Sequence, residues 1–110
     1  MKAKEIDIRW TPFALGCLDE IHDYIILKEK SHTIANKFIN TLFERVDQLK
    51  TFPESGQKEP LQLGFEHESR YLVEASYKII YEYDHFSQQV IITDVFHTSQ
   101  YPLDITRSKK

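Results

Sequence analysis

Apolar and polar residues alternate over residues 5–10, with Ile6, Ile8 and Trp10 on one side and Glu5, Asp7 and Arg9 on the other. A period of two predicts a half-buried strand. At Thr11-Pro12 the period changes. Thr is a good N-cap, and Pro suits the first helical position because the N–H it lacks is unpaired there anyway. Residues 12–29 then take the helical spacing through Ala14, Leu15, Leu18, Ile21, Tyr24 and Ile25. Gly16 weakens this helix by about 1 kcal/mol relative to Ala without breaking it. The polar stretch Lys28 to Thr33 offers Ser31 or Thr33 as a second cap. A second stripe, Ile34, Ala35, Phe38, Ile39, Leu42, Val46 and Leu49, predicts a helix that stops near Thr51. Pro53 sets that limit by disfavouring helical geometry at Phe52. The short connection makes the two helices an antiparallel hairpin.

Residues 53–69 carry turn signals, PESGQ and then Pro60 and Gly64, and read as a long irregular connection. Three strands are expected after it. Arg70 to Glu74 is short. Tyr77 to Asp84 sets Tyr77, Ile79, Tyr81 and Tyr83 against Lys78, Ile80, Glu82 and Asp84. Gln89 to His97 is rich in Val, Ile and Thr, and the loop His85 to Gln88 makes these last two strands a hairpin. The order β-α-α-β-β-β defines an α+β fold, a helical hairpin packed on a small, mostly antiparallel sheet. Residues 1–110 are expected to form one domain, with a flexible basic tail from about residue 103.

Composition narrows the function classes. A chain of 110 residues has room for one core. The single Cys17 excludes an intramolecular disulfide framework and a multi-Cys zinc site. A net charge of −3 argues against a general nucleic-acid coat, although a local basic patch is still compatible with it. No segment is apolar enough to span a bilayer, and MKAKEIDIRW lacks the apolar centre of a signal peptide. The expected compartment is the cytoplasm.

Three phrases carry a resemblance: IRWTPFALGCLDEIHDYI at 8–25, LKTFPESGQ at 49–57, and RYLVEASYKIIYEY at 70–83 followed by VIITDVFHTSQYP at 90–102. Together they resemble the RelE/ParE toxin superfamily of type II toxin–antitoxin systems. FPESG and FHT-x-Q-x-P are closest to the ParE branch, the plasmid-stabilisation proteins. The resemblance implies a toxin neutralised by a cognate antitoxin, which typically lays an extended or helical tail across it. In the ParE branch it implies DNA gyrase as target and no nuclease activity. In the RelE branch it implies ribosome-dependent cleavage of messenger RNA.

Metal-free RNA cleavage needs a base for the 2′-OH, an acid for the leaving oxygen and cations for the charged intermediate. The fallback catalytic set is Arg70, Lys78, Tyr77 and His97, with Tyr101 as a reserve acid. The resemblance places Val73 where a RelE-like strand carries a catalytic Arg, and Ser99 where ParE relatives commonly show Arg. Glu74, Glu82, Asp84 and Asp94 would repel a phosphate backbone if they shared its face.

Each candidate also has a plainer reading. His97 is expected to fix the turn after the last strand, Arg70 to pair with Glu68 or Glu74, and Lys78 to be solvated. The tyrosines are expected to pack on a half-buried face rather than stack bases. Cys17 reads as a small core residue with no base to activate it. His67 has no partner at a ligand spacing, His22 with His32 is no recognised ligand pair, and neither a metal nor a cofactor is expected.

The leading expectation is a ParE-like toxin that acts by protein–protein contact and is not an enzyme. The alternatives are a RelE-like endoribonuclease working with ribosome and mRNA, and an inactive member that still binds antitoxin. Ser99 is the support for the last. The exposed side of the hairpin and the sheet edge are the surfaces suited to the antitoxin.

Overall fold

The computed structural model describes residues 5–58 and 69–100. Strand β1 (Asp7–Trp10) runs into α1 (Pro12–Glu29) across Thr11, whose hydroxyl accepts from Ala14 N at 3.1 Å and donates to Ile92 O at 2.9 Å. One side chain thus caps the helix and ties its start to the sheet. Helix α2 (His32–Asp47) starts at Ser31, whose Oγ accepts from Ile34 N, and continues as a 3₁₀ turn over Gln48–Lys50. The cap is therefore Ser31 rather than Thr33. The hairpin is cross-linked where His22 Nε2 meets Asn36 Oδ1 at 2.7 Å.

Among the described residues four further strands follow rather than three: β2 (Gln57–Lys58), β3 (Ser69–Glu74), β4 (Tyr77–Asp84) and β5 (Gln89–His97). The stretch expected to be irregular thus includes a strand, antiparallel to β3 with Gln57 opposite Tyr71. Two polar residues carry no period that could announce it. The sheet order is β1-β5-β4-β3-β2. β1 lies parallel to β5, and the other pairs are antiparallel.

The helices cover one face of the sheet. Leu18 and Ile21 of α1, with Leu42, Val46 and Leu49, pack on Leu72, Ile79, Tyr81, Val90, Ile92 and Val95. Three members of the expected helical stripes stay outside this core: Leu15, Tyr24 and Ile34 are exposed. The apolar stripes are wider than the sheet contact, and Tyr24 and Ile34 border a cleft at its end.

One irregularity sets which residues face the helices. Ile80 pairs with Asp94 but Tyr81 pairs with Ile92, so Thr93 is an extra residue on β5. A one-residue bulge reverses the alternation of every side chain beyond it. Val90 and Ile92 face the helices before the bulge; Val95 and His97 do so after it. Strict alternation would have put His97 on the other side.

Candidate functional site

The first local site is the turn that follows the 3₁₀ segment. Tyr81, fully buried, donates its hydroxyl to Pro53 O at 2.9 Å and accepts from Gly56 N at 2.9 Å. Arg70 lies beside it, with Nη1 donating to Glu54 O at 3.0 Å and Gly56 O at 2.8 Å. Its Nη2 is 3.7 Å from Glu54 Oε2. A Cβ on Gly56 would stand 2.5 Å from Tyr81 Oη and 2.7 Å from Tyr71 O, so this position admits no side chain. The FPESG phrase is therefore a turn held from below by one phenol and one guanidinium, which leaves Phe52 exposed beside it. Of the expected partners of Arg70, Glu74 instead pairs with Arg45 at 3.8 Å and Glu68 lies outside the described residues, while Glu54 is an acid that the spacing did not suggest.

The second is an open cleft of about 860 Å³ between α1, the start of α2 and the β3–β4 end of the sheet. Tyr77 and His97 stand side by side in it, opposite each other in the β4–β5 register, with ring centres 5.1 Å apart and edge to face. Phe38 packs on the far side of Tyr77 at 5.4 Å. The Ser99 backbone N–H donates to His97 Nδ1 at 3.1 Å, and its hydroxyl is 2.7 Å from the same atom. Nδ1 is thus an acceptor, and the proton of the neutral ring sits on Nε2. His97 does fix the turn after β5, and Ser99 is its partner there.

Burial pushes the Tyr77 phenol above its ordinary 10, and the neighbouring Tyr24 phenol adds to the shift. Tyr77 is therefore a neutral donor at physiological pH and a poor base. The folded state holds this proton more tightly than the unfolded chain does. The associated stability is complete below pH 10 and is lost as pH rises through the folded-state value. In an ultraviolet titration, Tyr77→Phe should remove one tyrosine from those that ionise late. An ordinary titration for all the tyrosines would contradict the burial argument.

The four residues of the fallback catalytic set do not converge. Directly paired residues share a face of a sheet. Arg70 is opposite Tyr81 and so lies on the helix-covered face with Tyr77 and His97. It sits four residues along the sheet from Tyr77, about 13 Å by strand rise, and is engaged by the turn. Lys78 is opposite Val73 and Phe96 on the other face. Its ammonium lies 4.1 Å from the centre of the Tyr71 ring, so it is half-buried over an aromatic face rather than solvated. Tyr101, His67 and the basic tail lie outside the described residues.

Glu82 and Asp94 are buried. Asp84 caps the β4–β5 turn through Phe86 N at 2.9 Å. Cys17, buried as expected, donates to Asp94 Oδ1 at 3.6 Å. That long-range partner has no signature in the spacing of the chain. Among the described residues no group of three His, Cys, Asp or Glu is placed to hold a metal, and no helix is long and apolar enough to cross a membrane.

A helical hairpin on a mixed five-stranded sheet, with its first strand parallel to β5, is a fold shared with toxin–antitoxin proteins. A chain of the chromosomal ParDE system from P. aeruginosa matches with a TM-score of 0.68 and 18% identity, over 86% of this chain and 98% of that one. A chain of the RelBE2 toxin–antitoxin complex from Mycobacterium tuberculosis matches with a TM-score of 0.57 and 18% identity, over 87% and 94%. No curated protein matches at a significant level. The family model for the ParE toxin of the type II toxin–antitoxin system parDE matches residues 8–102. The chain belongs to that family and is a type II toxin.

Proposed function

We propose that this toxin acts as the ParE branch does, by binding a protein target, with DNA gyrase the implied one, and that a cognate antitoxin neutralises it. The observation that carries this reading is the split of Arg70, Lys78, Tyr77 and His97 over two faces of the sheet. Phosphodiester cleavage needs its acid, base and cations around one phosphate. Here Arg70 holds a turn and Lys78 lies on an aromatic ring on the other face. What the chain presents instead is an aromatic cleft and exposed Phe52, Val73 and Phe86. Such surfaces favour protein partners. The ParDE and RelBE assemblies that share the fold support an antitoxin as one partner.

The test is pulse labelling after induction of the chain alone in a bacterial host, with DNA and protein synthesis followed in one culture. DNA synthesis is expected to fall first while translation continues. Early loss of protein synthesis would overturn the reading in favour of mRNA cleavage. Loss of neither would identify a member that folds without poisoning, and a Ser99→Arg variant that regains toxicity would support that outcome.

A further inference from the structure

We infer that the cleft beside Tyr77 is where the antitoxin seats an arginine flanked by aliphatic side chains. The inference rests on the antitoxin reading above and adds to it a place and a chemistry.

Three features of the cleft select that occupant. Its volume of about 860 Å³ is that of a ligand-sized site, and its walls mix apolar and aromatic side chains with polar ones in nearly equal measure. Ile25 and Ile34 supply aliphatic surface, and Tyr24, Phe38 and Tyr77 supply ring faces. A groove of this kind takes the apolar anchors of a helical or extended peptide.

The second feature is charge. Glu20 and Glu29 lie on the rim against Lys28 alone, so the carboxylates exceed the ammonium by one. Among the described residues neither Glu forms an ion pair with a neighbour. His97 accepts from Ser99 N at Nδ1, which leaves Nε2 as the ring nitrogen free to contact an occupant. An acidic peptide would meet this excess of negative charge; a cationic one complements it.

The third is the combination of rings and carboxylates. A guanidinium stacks flat on an aromatic face while its edge donates to a carboxylate, which the compact ammonium of Lys does less well. Tyr77, packed between Phe38 and His97, offers an electron-rich ring and a donor hydroxyl.

The test uses the full chain, isotope-labelled, and three capped tripeptides: Leu-Arg-Leu, its citrulline isostere and Leu-Glu-Leu. The arginine peptide should shift the resonances of Tyr24, Phe38, Tyr77 and His97 with millimolar affinity. Citrulline should bind about fivefold more weakly, and the glutamate peptide should bind least. Replacing both rim acids, Glu20→Gln with Glu29→Gln, should erase the preference for arginine. Both lie on the exposed side of α1, so the fold should survive. Shifts confined to another surface, equal binding of arginine and citrulline, or a preference that survives loss of both acids would overturn the site. So would concentration-dependent broadening of the cleft resonances without peptide, which would identify a second copy as the occupant. The functional reading fails by a different signal: induction that depresses mRNA translation, or toxicity that no antitoxin relieves.

Discussion

Gly56→Ala is expected to lower stability by about 3 kcal/mol, the upper end of the cost of overpacking. The added methyl would lie 2.5 Å from Tyr81 Oη and 2.7 Å from Tyr71 O. One obstacle is a buried ring and the other is backbone in the sheet, so neither moves cheaply. Tyr81→Phe attacks the same junction from the other side. It leaves Gly56 N–H and Pro53 O without the hydroxyl that joins them, which should cost about 1–3 kcal/mol. The two changes should not add. Loss of Oη removes one of the clashes, so the double variant should be more stable than the sum of the singles predicts. Urea denaturation of the four proteins checks this through the transition midpoint at constant slope. A neutral Gly56→Ala would show that the turn is not locked against the sheet.

Leu42→Ala should be comparably severe, at about 2–5 kcal/mol, and Ile34→Ala should fall within about 0.5 kcal/mol of the parent. The two residues lie on one predicted stripe of α2, and periodicity alone gives no reason to separate them. The structure does: Leu42 is 0% exposed over the sheet, whereas Ile34 is 47% exposed at the cleft. Thermal or urea unfolding distinguishes the pair. Equal losses would mean that the cleft is closed in solution, which would also count against a docking site there.

The same contrast separates what the sequence carries locally from what only the fold decides. The two helices and the long strands were legible because their apolar spacing is strong and their ends carry caps and breakers, Thr11-Pro12, Ser31 and Pro53. β2 was not, because Gln57 and Lys58 join the sheet through backbone pairing with Tyr71 and Arg70. The PESG turn was visible, but its fastening to Tyr81 was not, since the partners are 25 residues apart. The candidate site was harder still. Arg70, Tyr77, Lys78 and His97 could all be named, yet their grouping depends on register and on the extra Thr93 that brings His97 to Tyr77. Position along a strand is local information; which face a residue occupies after a bulge is not. Glu54 as the partner of Arg70, and Asp94 as that of Cys17, belong to the same non-local class.

The parallel pairing of β1 with β5 has a consequence for the order of events during synthesis. Ile8 lies beside Val90, and the Thr11 hydroxyl that caps α1 also donates to Ile92 O, 81 residues downstream. The sheet cannot close on its amino-terminal strand until residue 92 has left the ribosome. Contacts of such separation form late and slowly. A growing chain therefore carries both helices before the sheet that they cover, and the β1–β5 pairing is a late step of folding. The topology thus makes the hairpin available to the growing chain before the strand that ties its first helix into the sheet.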